Sequence, residues 1–209
     1  ELTEILSLML RANGKSLQSS EYQKDLVVVT KQVLDNLIIS IREKINDAYT
    51  NKDTVELEKQ IKIFTGVLND QDRLVATQTE FLLGKWITDA REFGKDSASK
   101  AYYEKNARVL ITTWGNEGNA IVDYASRNLS GLISSYYKVR WEKFFDILRL
   151  SLRENKPLDM KAINKEMAAF EWDWTNQQQQ YTSKAQGDPL QIVGEIHAKY
   201  KPLFNMKNP

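Results

Sequence analysis

Cysteine is absent from the 209 residues, and histidine occurs once, at His197. Disulfides, thiolate zinc sites, Fe–S clusters and cysteine nucleophiles are therefore excluded, and any Ser-His-Asp triad has to run through His197. Neither sign of charge dominates: 29 Lys and Arg face 28 Asp and Glu, for a net charge of +1. A protein that neutralises nucleic-acid phosphates, or a polybasic membrane-surface protein, would carry a marked basic excess. No apolar run approaches the roughly 18 to 20 residues that span a bilayer. Nine glycines and four prolines are about half the usual share. Few turn residues in a chain of this length mean few connections between long elements, which points to helices.

What is present is ordinary for a globular domain: 42% hydrophobic and 27% charged residues. The length suits one sizeable core, so residues 1–209 are expected to form a single all-α domain. The chain starts with Glu rather than Met, and Leu2, Ile5, Leu6 and Met9 are already periodic. It carries no charged-then-apolar leader and reads as a piece of a longer polypeptide that begins near or inside a helix.

Helical periodicity accounts for most of the chain. Residues 1–12 form one short helix ended by Asn13-Gly14. Ser19 or Ser20 caps the next, whose apolar face is Leu26, Val29, Val33, Leu37, Ile41, Ile45 and Ala48. The run from Leu26 to Thr30 alone could be a strand, but its continuation at three- and four-residue spacing favours a helix. Asp53 caps a longer element that reads as one helix or two nearly continuous ones reaching Phe93, with bends or close crossings at Gly66 and Gly84. Asp96 caps a helix to about Thr113. Ile121 to Tyr137 is helical but interrupted at Gly131, and Trp141, Phe144 or Phe145, Leu148 and Leu152 form a stripe closed by Lys156-Pro157. Asp159 opens another helix, and Asp188-Pro189 the last. The expected architecture is a bundle of roughly eight helices, one or two of them very long.

Little chemistry is signalled. No phosphate-cradling glycine motif and no Gly-x-Ser-x-Gly elbow is present, and Glu195 lies too close to His197 for the Glu-x-x-His spacing of a helical di-metal site. No metal, cofactor or catalytic residue is expected, and His197 reads as a structural histidine. The segment Trp114-Gly115-Asn116-Glu117-Gly118-Asn119 is the loop that composition singles out. There Glu117 reads as a turn or cap residue, with an acidic role in sugar binding the alternative. Trp114 sits at a helix-to-loop break, where binding residues concentrate, and is equally open to a packing and a binding role. Trp86, Trp141, Phe144, Phe145, Phe170 and Trp174 are assigned to the core. Arg140 is expected to pair with a carboxylate within the bundle, or to position one in a neighbouring domain.

Several stretches are familiar as a set. Asp72-Arg73-Leu74, Phe81 to Trp86 and Tyr103 to Arg108 lead into Trp114-Gly115-Asn116-Glu117-Gly118-Asn119 and Asp123-Tyr124-Ala125. Leu129 to Leu132, Tyr136-Tyr137, Arg140-Trp141, Tyr181, Gly187-Asp188 and Lys199-Tyr200 follow. Together these resemble the C-terminal helical domain of the α-N-acetylglucosaminidases of glycoside hydrolase family 89. The resemblance covers roughly residues 72–204, and residues 1–71 add a compatible helical pattern.

The resemblance implies an enzyme of three parts: a small α/β domain, a (β/α)8 barrel, and this helical domain. Such an enzyme releases terminal α-linked N-acetylglucosamine from glycans, heparan sulfate in the animal lysosomal case. The implied chemistry retains configuration through two barrel glutamates, which need carboxyl groups about 5 to 5.5 Å apart on loops after barrel strands. Both would lie outside this chain, and Glu117 would be neither. By the same resemblance the domain packs on the barrel and helps wall the sugar pocket. Trp114 becomes the candidate wall, Asn119 and Tyr124 its hydrogen-bonding or shape-setting neighbours, and Asp123 and Arg140 scaffold. The setting implied is periplasmic or extracellular for a bacterial member and lysosomal for an animal one. The competing reading is a non-catalytic helical module that binds a protein partner.

Overall fold

The computed structural model describes residues 1–117 and 127–204. Its described residues hold eight α-helices: α1 (Leu2–Met9), α2 (Ser20–Thr50), α3 (Thr54–Val75), α4 (Leu83–Arg91), α5 (Ser97–Leu110), α6 (Lys138–Glu154), α7 (Met160–Thr175) and α8 (Pro189–Tyr200). Their only β pairing is an isolated parallel bridge between Leu82 and Ser130. The chain is all-α, as predicted, and α2 at 31 residues and α3 at 22 supply the long helices. The backbone falls into two compact units, Glu1–Gln78 with Gln186–Pro209, and Thr79–Ala185.

The first unit is built on regular helices. Ser19 accepts the amide of Tyr22 and Asp53 that of Glu56, so each side chain satisfies an orphan N–H at the start of α2 and α3. Asp188 does the same for Leu190 at α8, with Pro189 in the first helical position. Leu26, Val33, Leu37, Ile41 and Ile45 of α2 are buried, as are Leu57, Ile61, Phe64 and Leu74 of α3 and Ile192, Val193 and Ile196 of α8. Val29 lies at the edge of that face, half-buried. Polar clips fix the register: Gln71 donates to Asp35 across α3 and α2 at 2.6 Å, and Tyr200 and Lys199 of α8 both donate to Asp70 of α3 at 2.7 Å. Burial and the Asp70 carboxylate push the Tyr200 phenol well above the ordinary tyrosine range.

The long element expected from Asp53 to Phe93 is broken, and not at its glycines. Helix α3 stops at Val75, and Leu82 turns extended to pair with Ser130: Leu83 N–H donates to Ser130 O at 3.0 Å and Ser130 N–H to Phe81 O at 2.7 Å. A sequence-distant backbone partner sets this break, so local periodicity cannot reveal it. Gly66 lies inside α3, which continues through it, and a Cβ there would meet the Tyr200 hydroxyl at 3.5 Å. Gly84 marks a close crossing, because a Cβ there would lie 2.1 Å from the carbonyl oxygen of Thr182.

In the second unit, Leu83, Ile87, Ile111, Leu132, Tyr136, Tyr137 and Trp174 form one core, with Leu129, Phe170 and Tyr181 packed against it. Asp96 opens α5 with a reciprocal capping box to Ser99, and the Ser99 N–H holds the Asp96 carboxyl below its ordinary range. The interruption expected near Gly131 is a π-helical turn, Ile133–Tyr137, running straight into α6. The part of that expectation between Ile121 and Ser126 lies outside the described residues. Phe145 and Trp174 are buried, and Trp141, Phe144 and Phe170 are half-buried. Trp86 departs from its expected core role. It is 41% exposed, and its indole N–H is satisfied by the Ala107 carbonyl at 2.9 Å.

Candidate functional site

The Trp114 loop begins where α5 ends. Helix α5 reaches Leu110, three residues short of the expected end, and the Trp114 N–H closes back onto Val109 O at 2.8 Å. Trp114 itself has φ +53°, a left-handed backbone that costs a bulky residue on the order of 1 kcal/mol. Lys52 and Asn155 share this conformation among the described non-glycine residues, and both stand directly before an i→i−5 helix-closing bond. At Trp114 the strained residue makes that bond with its own N–H. The left-handed turn therefore serves the loop rather than the closure of the helix, and the indole emerges 42% exposed.

The footing of this loop is a charged group inside the core. Arg108, in the last turn of α5, is fully buried and donates through Nε and Nη2 to Glu104 at 3.1 and 2.9 Å, and through Nη2 to Gln179 O at 3.0 Å. Its guanidinium lies 4.7 Å from the centre of the Trp174 ring and 5.5 Å from that of Tyr181. Arg91 of α4 also pairs with Glu104. Nη1 of Arg108 and Oγ1 of Thr113, both buried, have no hydrogen-bond partner among the described residues.

Tyr181 is seated by two glycines. A Cβ at Gly131, where φ is +90°, would come within 2.9 Å of its ring, and Gly84 admits the neighbouring Thr182 carbonyl. The Tyr181 hydroxyl and the Trp174 indole N–H both donate to Ser135 Oγ, at 3.0 and 3.1 Å, and Ser135 donates to Gly131 O at 2.5 Å. On the far side of the motif, the Arg127 N–H donates to the Tyr137 hydroxyl at 3.1 Å. Both flanks of residues 118–126 are thus tied to the same aromatic core.

Of the predicted site residues, Trp114 stands exposed on this footing. Asn119, Tyr124 and Asp123 lie outside the described residues. Glu117 is exposed. Arg140 takes its expected partner within the bundle, the buried Glu171, at 2.6 Å. His197 belongs to the first unit, with Nε2 3.3 Å from Ser7 Oγ, while that hydroxyl donates to the Thr3 carbonyl. Among the described residues the ring's hydrogen-bond partner is Ser7 and not a carboxylate; burial and the Lys201 charge hold the imidazole below its ordinary pKa. Among the described residues, no group of three or more acidic or histidine side chains could hold a metal ion.

Sequence reasoning assigned Arg108 and Glu104 no role. Their i,i+4 spacing is the available signal, but the same spacing occurs in the exposed Lys85–Asp89 pair and cannot by itself mark a buried one.

The comparisons with known proteins agree on one family. The family model described as the alpha-N-acetylglucosaminidase (NAGLU) C-terminal domain matches residues 1–199, which carries the likeness across the first 71 residues too. Human alpha-N-acetylglucosaminidase is 30% identical over 205 residues, 98% of this chain and 28% of the human protein. A family 89 glycoside hydrolase from Clostridium perfringens, in complex with 2-acetamido-1,2-dideoxynojirmycin, matches with a TM-score of 0.86 at 28% identity, over 98% of this chain and 24% of that one. CpGH89 from the same organism, in complex with its substrate GlcNAc-alpha-1,4-galactose, matches with a TM-score of 0.77 at 30% identity, over 87% of this chain and 21% of that one. The chain thus spans about a quarter of the length of these relatives. With the model match running nearly end to end, the chain belongs to the α-N-acetylglucosaminidase C-terminal domain family of glycoside hydrolase family 89.

Proposed function

We propose that this chain is the helical C-terminal part of an exo-acting α-N-acetylglucosaminidase, in which a separate barrel carries out the hydrolysis. The carrying observation is the family match over residues 1–199, in a chain equal to only 28% of its human relative. The bond-breaking carboxylates belong to the barrel, in the retaining arrangement, and this chain supplies binding surface. Trp114 offers a partly exposed aromatic side chain. An aromatic face packs against the apolar C–H side of a sugar ring while the hydroxyls keep their polar partners. Asn119 and Tyr124, later in the same motif, supply hydrogen bonds and shape beside it. Glu117 is not a catalytic acid in this reading. The substrate class is a glycan ending in α-linked N-acetylglucosamine, and the setting is periplasmic or extracellular in a bacterium, lysosomal in an animal.

Hydrolysis of a chromogenic α-N-acetylglucosaminide tests the division of labour. The full-length parent is expected to turn over the substrate, and the 209-residue chain alone to release no product. Turnover by the isolated chain would sink the reading, as would an inactive parent.

A further inference from the structure

We propose that Asn13 is a site of self-modification, where the carboxamide is lost and the Asn13–Gly14 link becomes an aspartyl or isoaspartyl one. The reaction needs no enzyme. The backbone nitrogen of the following residue attacks the asparagine Cγ, and the new N–Cγ bond closes a five-membered imide. The Cγ–Nδ2 bond breaks, and Nδ2 leaves as ammonia with the proton shed by the backbone nitrogen. Water then opens the imide. Hydrolysis at Cγ leaves an ordinary aspartate, whereas hydrolysis at the backbone carbonyl leaves isoaspartate, with the main chain running through Cγ. Two conditions follow. The next N–H must be free to react, and the next residue must not crowd the ring.

Asn13 meets both conditions. It is followed by Gly14 in the only Asn-Gly pair of the sequence, and glycine has no Cβ to crowd the ring. It stands at the N-cap of a 3-10 turn, Gly14–Gln18, yet its side chain makes no capping hydrogen bond. The Gly14 N–H is an orphan donor at the start of that turn and reaches no backbone carbonyl among the described residues. Both residues are exposed, and a Cβ at Gly14 would meet nothing within 4 Å. There is open space for the rotation that ring closure requires from the extended ψ of 171° at Asn13. The other described asparagines fail one condition each. Asn36, Asn46, Asn69, Asn106 and Asn164 lie inside α-helices, where the next N–H is held by the carbonyl four residues back. After Asn51, Asn128, Asn155 and Asn176, the next N–H donates to the carbonyl of Tyr49, Arg127, Ser151 and Trp174 respectively. Asn116 is followed by Glu117, whose side chain crowds the ring.

The product places a carboxylate at the start of the turn, and its isoaspartyl form adds one backbone atom between α1 and α2. That form is also the substrate of a protein isoaspartyl O-methyltransferase, which esterifies the new carboxylate from S-adenosylmethionine. The test ages the full-length parent in mildly alkaline buffer and follows the tryptic peptide Ala12–Lys15 by mass spectrometry. Purified isoaspartyl methyltransferase with labelled S-adenosylmethionine is the second probe. Position 13 is expected to gain one mass unit at least an order of magnitude faster than Asn51, Asn116 or Asn155 in the same sample. Asn13→Ser, which keeps a side chain suited to the cap, should remove most of the methyl label. An unchanged position 13, alongside conversion in a urea-unfolded sample of the same enzyme, would overturn the proposal, because the fold would then protect the pair. Equally fast conversion of Asn116 would overturn it too, since neither the glycine nor the free N–H would then select the site. Both readouts are masses or methyl counts, and they stand whether or not the parent hydrolyses the chromogenic substrate.

Discussion

The two units of this chain solve the same problem in opposite ways. The first uses long helices whose apolar faces repeat regularly and whose ends are capped within a few residues. The second is assembled from shorter pieces joined by an isolated β-bridge, a π-helical turn and two glycine-dependent crossings, around a buried Arg108–Glu104 pair. The contrast separates stability from placement. Regular helices bury apolar surface efficiently, whereas buried charge and tight crossings hold one particular geometry at some cost in stability. That geometry ends at the exposed, left-handed Trp114.

Breaking the second unit's charged footing should have the largest effect on stability. Glu104→Ala leaves Arg108 buried without its carboxylate and should cost about 3 to 5 kcal/mol in urea unfolding. Removing Arg73 from its exposed contact with Glu195 in the first unit should change little, because water screens that pair. Gly84→Ala comes next. Its Cβ would overlap the Thr182 carbonyl, and about 2 to 3 kcal/mol of destabilisation is expected from the displaced segment. Gly66→Ala reverses the sign. The new methyl would meet the Tyr200 hydroxyl at an ordinary 3.5 Å inside α3, so helix propensity should stabilise the chain by about 0.5 to 1 kcal/mol. Equal costs at both glycines would erase the distinction between the units.

The smallest effect is a pH dependence confined to the first unit. The folded-state pKa of His197 lies below its ordinary value of 6.5 because burial disfavours the charged ring. Above that pH the residue is neutral in both states and adds no penalty. As the pH falls through and below 6.5, the unfolded chain takes up the proton first, and stability drops. His197→Gln should flatten that part of the Tm-versus-pH curve, and an unchanged slope would show that another group titrates there.

How much of this the sequence discloses follows the same divide. The caps Asp53, Asp96, Asp159 and Asp188 are legible and present, and the choice left between Ser19 and Ser20 falls on Ser19, because a cap acts within three residues of itself. The break before α4 is not legible, since Ser130 imposes it from a distant stretch. Gly66 and Gly84 look alike as letters, and only the crossing of Thr182 tells them apart. Trp86 follows a helical repeat that suggests burial, but α5 covers only one side of it. At the candidate site the motif picks out Trp114, and the left-handed backbone emerges only in three dimensions. Of the residues that support Trp114, Gly84 and Gly131 stand out in the helical pattern as a crossing and an interruption, whereas Arg108 and Tyr181 are visible only as members of a resemblance. Arg108, Tyr181, Gly84 and Gly131 acquire their roles from each other, and no local pattern of charge or hydrophobicity encodes that.

The most direct measurement is kcat/KM of the full-length parent carrying Trp114→Ala, on a chromogenic α-N-acetylglucosaminide, with thermal melting alongside. A loss on the order of 100-fold, about 2.7 kcal/mol of transition-state stabilisation, with an unchanged Tm is the predicted result. Trp114→Phe, which keeps an aromatic face, should recover most of the loss. Wild-type kcat/KM in the alanine variant would contradict the account and reduce the loop to scaffold.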